Sequence, residues 1–575
     1  MMANNIFPEN NRFAMLPTNA AAPVSKFNRD YSRLTTMNSG KLYPICIDEL
    51  LPGDKVSMDM SVVARMATPV VPVMDDCFID IFWFSVPERI VWSNWKSFFG
   101  EAEPSAWEED IEREVPHAIL TGSFNGLLDN MGIPPGVGAD VSVLPIRAYQ
   151  RIWNDWFRDQ NLQDSLLIYD GDDGVEDEDG GLYDVLLPVN KVHDFFTSCL
   201  PSPQKGPSVL MGAFGDIPVY AREGVKLNAT PGTGFVTGDF WLYDRDLGYY
   251  KKTTSADWNG DVAHITAKHD MVNATNVIGS NFQGGAAGPD MFLTLNNLVA
   301  DGGHVESFSI NNFRNAIAFQ HFLERDAVGG TRYREYINNH FGVSMPDATA
   351  QVPEYLGGKR IPITVNQVVQ TSSSSVYDGR PMSLGDTGAY SKTIDNGHYF
   401  DYTATEHCLL IGVACIRYKH SYQQGLHRLW SRRSRFDYYD PMFANLGEQP
   451  VYNRQIYLQD DNSVALSPLN DEVFGYQEAW AEYRYHANEV CGDFRSNAPN
   501  GSLDFWHYGD YYTSLPMLSE SWMVENPKNI DRTLAVSSED GNGNSITNQF
   551  LVNLYFKGTW MRQMPVYSVP GLDTI

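Results

Sequence analysis

The sequence predicts a mainly β protein, built as a sandwich whose first and last strands are neighbours. Residues 76–86, DCFIDIFWFSV, form a strand-like run that is apolar on both faces. Similar runs occur at 55–66 and again in the last third of the chain, with helical and irregular segments between them. Because a strand with one wet face alternates apolar and polar residues, we expect 76–86 to be covered on both sides by the core and by a helix, a long loop or a neighbouring subunit.

The bulk composition excludes several classes of protein. The 575 residues carry a formal net charge of -29 and give a pI near 4.7, which disfavours binding to nucleic acid through the whole surface. Any contact with DNA therefore needs a local basic patch. Hydrophobic residues make up 43% and aromatic residues 13% of the chain, which excludes wholesale disorder.

The cysteine pattern and the apolar runs indicate where the protein is made. The six cysteines are scattered without CxxC spacing, which predicts buried thiols in a reducing compartment. The start, MMANNIFPENN, lacks the basic and apolar regions of a signal peptide, and the run CLLIGVACI at 408–416 is too short to span a bilayer. We expect neither signal-directed export nor membrane insertion.

Changes of composition and period divide the chain into four segments. Residues 1–52 show no sustained period and predict an extended N-terminal arm. Residues 53–215 hold the first strands of the sandwich, and 216–306 are a Gly-, Asn- and Thr-rich stretch with short strand-like pieces, which predicts a β-rich insertion. Residues 307–575 contain helical loops and the remaining strands, including a half-buried final strand at 548–564.

Helical periods occur in the connections between strands. Trp92, Trp95 and Phe99 have the spacing of one helix face, and PIRAYQRIWNDWFRDQN at 145–161 repeats that spacing. Residues 309–342 predict two helices broken by a Gly-Gly pair.

No motif in the sequence indicates an enzyme or a metal site. HExxH, GxSxG and paired CxxC patterns are absent, and the acidic turn DGDDGVEDEDGG at 170–181 does not fit the calcium loop of an EF-hand. We interpret that turn as a solvated loop. The sequence therefore predicts no catalytic residue, no cofactor and no metal ion.

Several long stretches resemble one family of viral proteins. They are GKLYPICIDELLPGDKVSMDMSVVARMATPVVPVMDDCFIDIFWFSVPERIVWSNWKSFFGE, WNDWFRDQNLQDS, DFFTSCLPSPQKGP, LERDAVGGTRYREYINNHFGV, PEYLGG and VNQVVQTS. They resemble the major capsid proteins of the gokushovirus branch of the Microviridae, which are small single-stranded DNA phages. The resemblance covers nearly the whole chain.

This resemblance implies a fold, an assembly and a set of partners. The implied fold is an eight-stranded antiparallel jelly-roll sandwich with long loop insertions containing helices. The implied assembly is a T=1 icosahedral shell around circular single-stranded DNA, formed with a scaffolding protein in the cytoplasm of a bacterial host and found in the virion. The insertion at 216–306 would then be a protrusion near the threefold axes that meets a host cell-surface receptor.

The strongest local charge feature is the basic segment, residues 417–436, which has no acidic residue. Aromatic side chains are interleaved with its cations, which suits single-stranded DNA because bases stack while Arg and Lys hold phosphates. Pairing with acids across a subunit interface is the alternative, since Arg is also favoured there. The basic residues are Arg417, Lys419, Arg428, Arg432, Arg433 and Arg435.

The predicted arm also carries cations, Lys26, Arg29, Arg33 and Lys41. They are candidates to face packaged DNA or a small basic internal protein, or to join neighbouring subunits. With so little positive charge, the chain cannot neutralise a genome alone, so we expect a separate basic DNA-packaging protein or counter-ions to do so.

The insertion offers a candidate receptor-facing surface, consisting of Phe240, Trp241, Tyr243, Tyr249 and Tyr250. These aromatic residues would suit a surface glycan. A soluble β-sandwich protein that binds or hydrolyses a polysaccharide remains the alternative for the whole chain. It requires a cleft with converging carboxylates, and the many acidic residues leave such a pair open.

Overall fold

The computed structural model describes most of the chain outside the insertion. It covers residues 23–101, 113–172, 182–207, 310–330, 332–369, 387–499, 501–537 and 547–567, with short pieces at 209, 219–221, 240–244, 249–253, 292–293, 298–300, 371, 374–377, 380–382 and 384–385. The chain divides into two compact units, Met1–Gly206 with Leu323–Ile575, and Pro207–Phe322. Within these described ranges, no helix is long and apolar enough to cross a membrane.

The first unit is built on two four-stranded antiparallel sheets. The strands are β1 (Val24–Met37), β2 (Leu42–Leu50), β3 (Lys55–Met66), β4 (Cys77–Pro87), β5 (Glu354–Pro362), β6 (Thr393–Thr403), β7 (Cys408–Tyr418) and β8 (Phe550–Gln563). One sheet has the order β1-β8-β3-β6 and the other the order β5-β4-β7-β2. Successive strands change sheet at every step except from β4 to β5, which is the connectivity of a jelly roll.

The predicted fold class, a mainly β sandwich, is confirmed. First and last strands are indeed neighbours, because β1 pairs along its whole length with β8, from Val24 opposite Gln563 to Met37 opposite Phe550. Eight is the number of strands in these two sheets of the described chain, which has further short strands in its loops. The total of eight therefore describes the sandwich and not the whole protein.

The core lies between the two sheets and is dominated by aromatic side chains. Trp83 of β4 is fully buried, with ring centroids 5.3 Å from Phe400 of β6 and 6.0 Å from Phe556 of β8. Gly412 on β7 makes room for this ring, since a Cβ there would lie 3.0 Å from Trp83 Cζ3. On β8 buried residues alternate with exposed ones, as the half-buried pattern predicted.

Strand β4 is also covered on the face that points away from the other sheet. Helix α1 (Leu144–Ile152) continues into a π-helical turn, Trp153–Phe157, that packs on this face. The ring of Phe84 lies 5.5 Å from that of Trp156, and Phe82 meets Phe157 edge to face at 5.3 Å. Burial on both faces, predicted from the apolar run at 76–86, is therefore confirmed, and a helix covers the second face.

The predicted arm requires a correction. Residues 24–37 and 42–50, inside the range 1–52, form β1 and β2 of the two sheets. Their period was hidden because inward positions of β1 are not simply apolar: Arg29 lies 4.8 Å above the ring of Trp560, and Tyr31 stacks on Phe556 at 4.7 Å. Residues 1–22 lie outside the described part of the chain.

Further helices and short strands lie outside the two main sheets. Helix α2 (Ile310–Gly329) has its first residues in the second unit and its last residues in the first. Helix α2 and helix α3 (Tyr333–Phe341) break at Gly330, which has φ +84°, as the Gly-Gly pair predicted. Short helices lie at Trp95–Phe98, Leu127–Met131, Asp347–Ala350, Asn453–Ile456, Glu520–Met523 and Lys528–Asp531. Short strand pairs are His117–Thr121 with Gly138–Ser142, Val365–Val369 with Thr387–Ser391, Ser374–Tyr377 with Arg380–Met382, Glu448–Tyr452 with Val473–Glu478, and Ser421–Tyr422 with Asn488–Glu489.

The second unit contains five short strands in its described pieces. Phe240–Asp244 pairs with Tyr249–Thr253 and with Phe292–Leu293, and Val219–Ala221 pairs with Leu298–Ala300. The predicted insertion at 216–306 falls inside this unit, Pro207–Phe322. Its placement as a threefold protrusion stays a prediction.

The cysteines follow the predicted pattern with one exception. Cys46, Cys77, Cys199, Cys408 and Cys415 are buried free thiols, whereas Cys491 is exposed. Of the acidic turn at 170–181, residues 173–181 lie outside the described chain, and Asp172 accepts a hydrogen bond of 2.7 Å from the Trp92 indole.

Removing the central ring of the core should destabilise the subunit strongly. Trp83→Ala leaves a large cavity between the sheets, so we expect the free energy of unfolding to fall by about 3–5 kcal/mol. The control, Leu551→Ala, truncates an exposed side chain on the outer face of β8 and should stay within about 0.5 kcal/mol of wild type. Urea unfolding of the two variants checks this, and equal losses would contradict the placement of Trp83.

Candidate nucleic-acid interface

The basic segment begins inside the sandwich, at the end of β7. Arg417 Nε donates to Asp80 Oδ2 over 2.9 Å, and Arg360 donates to the same carboxylate from Nε at 2.7 Å and from Nη2 at 2.9 Å. Burial alone would raise the pKa of Asp80, but the two guanidiniums outweigh it and hold the pKa below its ordinary value. The one acidic residue of apolar β4 is thus neutralised within the chain, and Arg417 is its partner.

Lys419 lies just beyond β7 and pairs at the surface. Its Nζ is 2.7 Å from Asp76 Oδ2, and both side chains are at least half exposed. Exposed pairs of this kind contribute little to stability. Lys419 can therefore exchange Asp76 for another anion at small cost.

The next residue, His420, lies in a buried charge cluster that no sequence pattern singled out. Its Nδ1 is 3.0 Å from Asp510 Oδ2 and its Nε2 is 3.1 Å from Glu525 Oε1, while Lys191 Nζ is 3.2 Å from Asp510 Oδ2. Burial alone would lower the pKa of His420, but Asp510 and then Glu525 outweigh it and raise the pKa to about 10. Two cations thus lie beside two carboxylates, an arrangement that balances the cost of burying each charge.

This cluster predicts a specific dependence of stability on pH. Because the folded pKa of His420 is raised from its ordinary 6.5 to about 10, its contribution is fully present below pH 6.5 and is lost as the pH rises through about 10. Between pH 7 and pH 9 we expect the free energy of unfolding of wild type to fall more steeply than that of His420→Gln, by up to about 1.4 kcal/mol per pH unit.

Denaturant unfolding at several pH values measures both slopes. Groups other than His420 titrate in both proteins, so only the difference between the slopes reports on His420. Parallel profiles would contradict the assignment of a charged His420.

Farther along the basic segment, two arginines converge on one buried carboxylate. Arg432 Nη2 lies 3.2 Å and Arg428 Nε 3.7 Å from Glu482 Oε1, whose side chain is 5% exposed. The Arg432 guanidinium also lies over the rings of Tyr483, at 4.5 Å, and Tyr438, at 5.2 Å. These arginines therefore hold the loop against residues 478–483.

Arg433 and Arg435 differ from the other cations of the segment. Both are exposed, and neither guanidinium makes an ion pair with any residue that the structure describes. Arg435 lies 4.8 Å from the ring centroid of Phe436, its neighbour in sequence. Together with Lys419, they are the cations of the segment that remain available to a partner.

The interleaved aromatic residues divide in the same way. Tyr418 and Tyr422 are buried, with hydroxyls donating to Asn526 O at 2.9 Å and to Asp194 Oδ2 at 2.7 Å. Trp430 and Phe436 are exposed. Exposed aromatic side chains continue past the end of the segment, in FDYYDPMF at 436–443, where the sequence itself shows the cluster of aromatic residues.

The candidate residues of the predicted arm lie on and beside β1. Lys26 and Lys41 are exposed and make no ion pair within the described chain, whereas Arg29 Nη1 is 2.7 Å from Asp48 Oδ2. Arg33 donates to the backbone oxygens of Ile45 and Asn130. Arg29 and Arg33 therefore attach β1 to its own subunit.

The five aromatic candidates of the insertion lie on one paired hairpin. Tyr243 is opposite Tyr250, and Tyr249 is opposite Asp244, while Phe240 and Trp241 begin the first strand. Strand pairing therefore places Phe240, Trp241 and Tyr243 on the strand next to Tyr249 and Tyr250. Across the described residues as a whole, no group of three or more His, Cys, Asp or Glu side chains is arranged to hold a metal ion.

A cavity of about 610 Å³ lies beside the outer face of β4. Its carboxylates are Asp159 and Glu335, and both are engaged: Asp159 accepts from the backbone N of Asn161 at 2.7 Å, and Glu335 lies 3.3 Å from Arg332 Nη1. Phe82, Phe84 and Trp156 form an aromatic wall.

Comparison with known proteins decides the family. The family model described as "Capsid protein (F protein)" matches residues 14–572. The chain belongs to this phage capsid protein family. The resemblance to gokushovirus capsid proteins is thereby confirmed.

Relatives within the capsid protein family are similar over nearly their whole length. Capsid protein VP1 of Spiroplasma virus 4 is 38% identical, with 96% of each chain covered. Capsid protein VP1 of Chlamydia phage 1 is 37% identical with 98% of each covered, and that of Bdellovibrio phage phiMH2K is 35% identical with 97% of each covered.

Proposed function

We propose that this capsid protein self-assembles into a T=1 icosahedral shell that encloses circular single-stranded DNA. The observation that carries the proposal is the family match over residues 14–572, together with a jelly-roll sandwich, a fold common in viral shells. Closed assemblies of identical subunits need surfaces that satisfy one another, which a rigid sandwich with long loops can supply. The protein is then structural and not an enzyme, and its place is the virion after assembly in the bacterial cytoplasm.

Two other proteins are proposed partners, one to neutralise the DNA and one to guide assembly. A small basic DNA-packaging protein would provide most of the charge that neutralises the genome, because the subunit carries a net charge of -29. Within the chain, Arg417, Arg428, Arg432 and Arg29 already have carboxylate partners. Lys26 and Lys41 are the proposed contacts to DNA or to that packaging protein. A scaffolding protein would act during assembly.

The mass and content of the native assembly test this function. We expect purified protein from its host to sediment as a discrete particle of several megadaltons. The particle should carry single-stranded DNA that nuclease cannot digest until the shell is disrupted. A monomer or small oligomer under all conditions, with no protected DNA, would contradict the proposal.

The insertion at 216–306 is the proposed attachment element, a protrusion at the threefold axes that contacts a host receptor. Its support is that residues 207–322 form a compact unit of their own, while every strand of the two main sheets belongs to the other unit. The sequence of the insertion can therefore vary without disturbing the two sheets of the sandwich. The aromatic hairpin at 240–250 would supply stacking surfaces for a glycan.

Replacing residues 216–306 by a short Gly-Ser linker separates attachment from assembly. We expect the variant to form particles, because both main sheets remain complete, and to lose adsorption to host cells. The quintuple alanine variant of Phe240, Trp241, Tyr243, Tyr249 and Tyr250 tests the narrower surface. Normal adsorption of the linker variant would contradict the assigned role.

The alternative, a polysaccharide hydrolase, finds less support. Among the described residues that line the cavity beside β4, two are carboxylates, and both are engaged with neighbouring groups. A glycosidase needs one carboxyl group free to donate a proton and a second to act as base or nucleophile.

A further inference from the structure

A continuous aromatic surface lies on the loop that follows the buried part of the basic segment. We define the aromatic surface by the exposed side chains of Leu429, Trp430, Phe436, Tyr438, Tyr439, Met442, Phe443, Leu446 and Tyr483. Its side chains are large, apolar and exposed, with Met442 at 89% and Trp430 at 75% exposure. The others that carry the argument are Phe436, Tyr438, Tyr439 and Phe443. Exposed apolar groups this concentrated mark a surface that another molecule covers.

Ring contacts connect the middle of this surface to residues 480–483. The ring centroids of Phe436 and Phe443 lie 6.5 Å apart, and the Trp480 indole donates to the backbone oxygen of Phe443 over 2.9 Å. The ring of Tyr439 packs edge to face on Trp480 at 5.7 Å and lies 6.2 Å from Tyr483. Side chains far apart in sequence thus form a single patch.

The patch is held in place from below. The buried Glu482 pairs with Arg432, whose guanidinium also packs against the rings of Tyr483 and Tyr438. Trp480 has φ +63°, a left-handed conformation that costs a bulky residue energy and persists only where its surroundings enforce it. An exposed surface with this much buried support is preorganised, which reduces the ordering cost of binding a partner.

Composition distinguishes a protein partner from DNA. Residues 420–527 contain seven arginines and no lysine. Interfaces between proteins are enriched in Tyr, Trp, Phe, Met and Arg and depleted in Lys, whereas phosphate backbones are bound by Lys and Arg alike. Met442, the most exposed side chain of the surface, has no flat face on which a base can stack.

Charge complementarity points to a second copy of the same chain. Arg433 and Arg435 border the aromatic surface, and neither guanidinium forms an ion pair within the described chain. A second subunit carries 71 acidic against 42 basic residues, an excess of carboxylates with which arginines can pair. We propose that the aromatic surface is an interface between two copies of this capsid protein, with Arg433 and Arg435 pairing with acidic residues of the neighbour. This inference rests on the proposed shell.

Charge substitutions on the surface test the interface. Met442→Glu and Trp430→Glu place a carboxylate in the patch, and because both side chains are exposed the free subunit should fold normally. Val464→Glu is the matched control, since Val464 is 94% exposed and lies outside the patch. We expect the two patch variants to reduce the yield of assembled particles at least about tenfold, while the control assembles like wild type. Thermal unfolding of the free subunits verifies the fold.

Each contrary outcome has a separate meaning. If the patch variants unfold like wild type and assemble as well as Val464→Glu, the aromatic surface is not an interface, although the shell stands. If they form particles in normal yield that lack protected DNA, the surface contacts DNA, and the interface is overturned. If wild type itself forms no particle, the proposed function is wrong, and the interface, which depends on it, is overturned as well. An Arg433→Ala/Arg435→Ala variant should lower the yield in a salt-dependent manner.

Discussion

Burial of β4 on both faces is the constraint on which the other layers of the subunit depend. Trp83 fills the space between the sheets, and Phe82 and Phe84 require the π-helical turn at 153–157 to cover the opposite face. A three-layer arrangement of sheet, sheet and helix follows from this strand. It also explains why the single acidic side chain of the strand, Asp80, has two arginine partners, since a buried carboxylate without them would be costly.

Buried carboxylates then determine which part of the basic segment is left for other molecules. Asp80 holds Arg417, Asp510 and Glu525 hold His420, and Glu482 holds Arg428 and Arg432. These buried ion pairs fix the path of the chain from the edge of the sandwich to the surface. Arg433 and Arg435 reach it without an ion pair in the described chain, and there they border the aromatic surface. The cations that form one basic segment in the sequence are thus of two kinds. Some pair with carboxylates of their own subunit, and the others are left to bind another molecule.

The sequence predicted features that depend on neighbours along the chain and missed those that depend on distant ones. Apolar alternation revealed the two-sided burial of β4 and the alternating faces of β8, because side-chain direction repeats every two residues. It failed for β1, where Arg29 and Tyr31 point inward against Trp560 and Phe556. The partners of Arg417 and His420 lie up to several hundred residues away, so no local pattern could reveal them. Resemblance to capsid proteins supplied the strand connectivity that local patterns leave open.

In the proposed shell, the buried ion pairs leave one aromatic, arginine-bordered surface of each subunit for a neighbouring copy. A cryo-electron microscopy reconstruction of the native particle can show what covers that surface. We expect an icosahedral T=1 shell in which protein density of an adjacent subunit covers Trp430 and Met442, with carboxylates near Arg433 and Arg435. A particle in which this surface faces the genome or open solvent would contradict it.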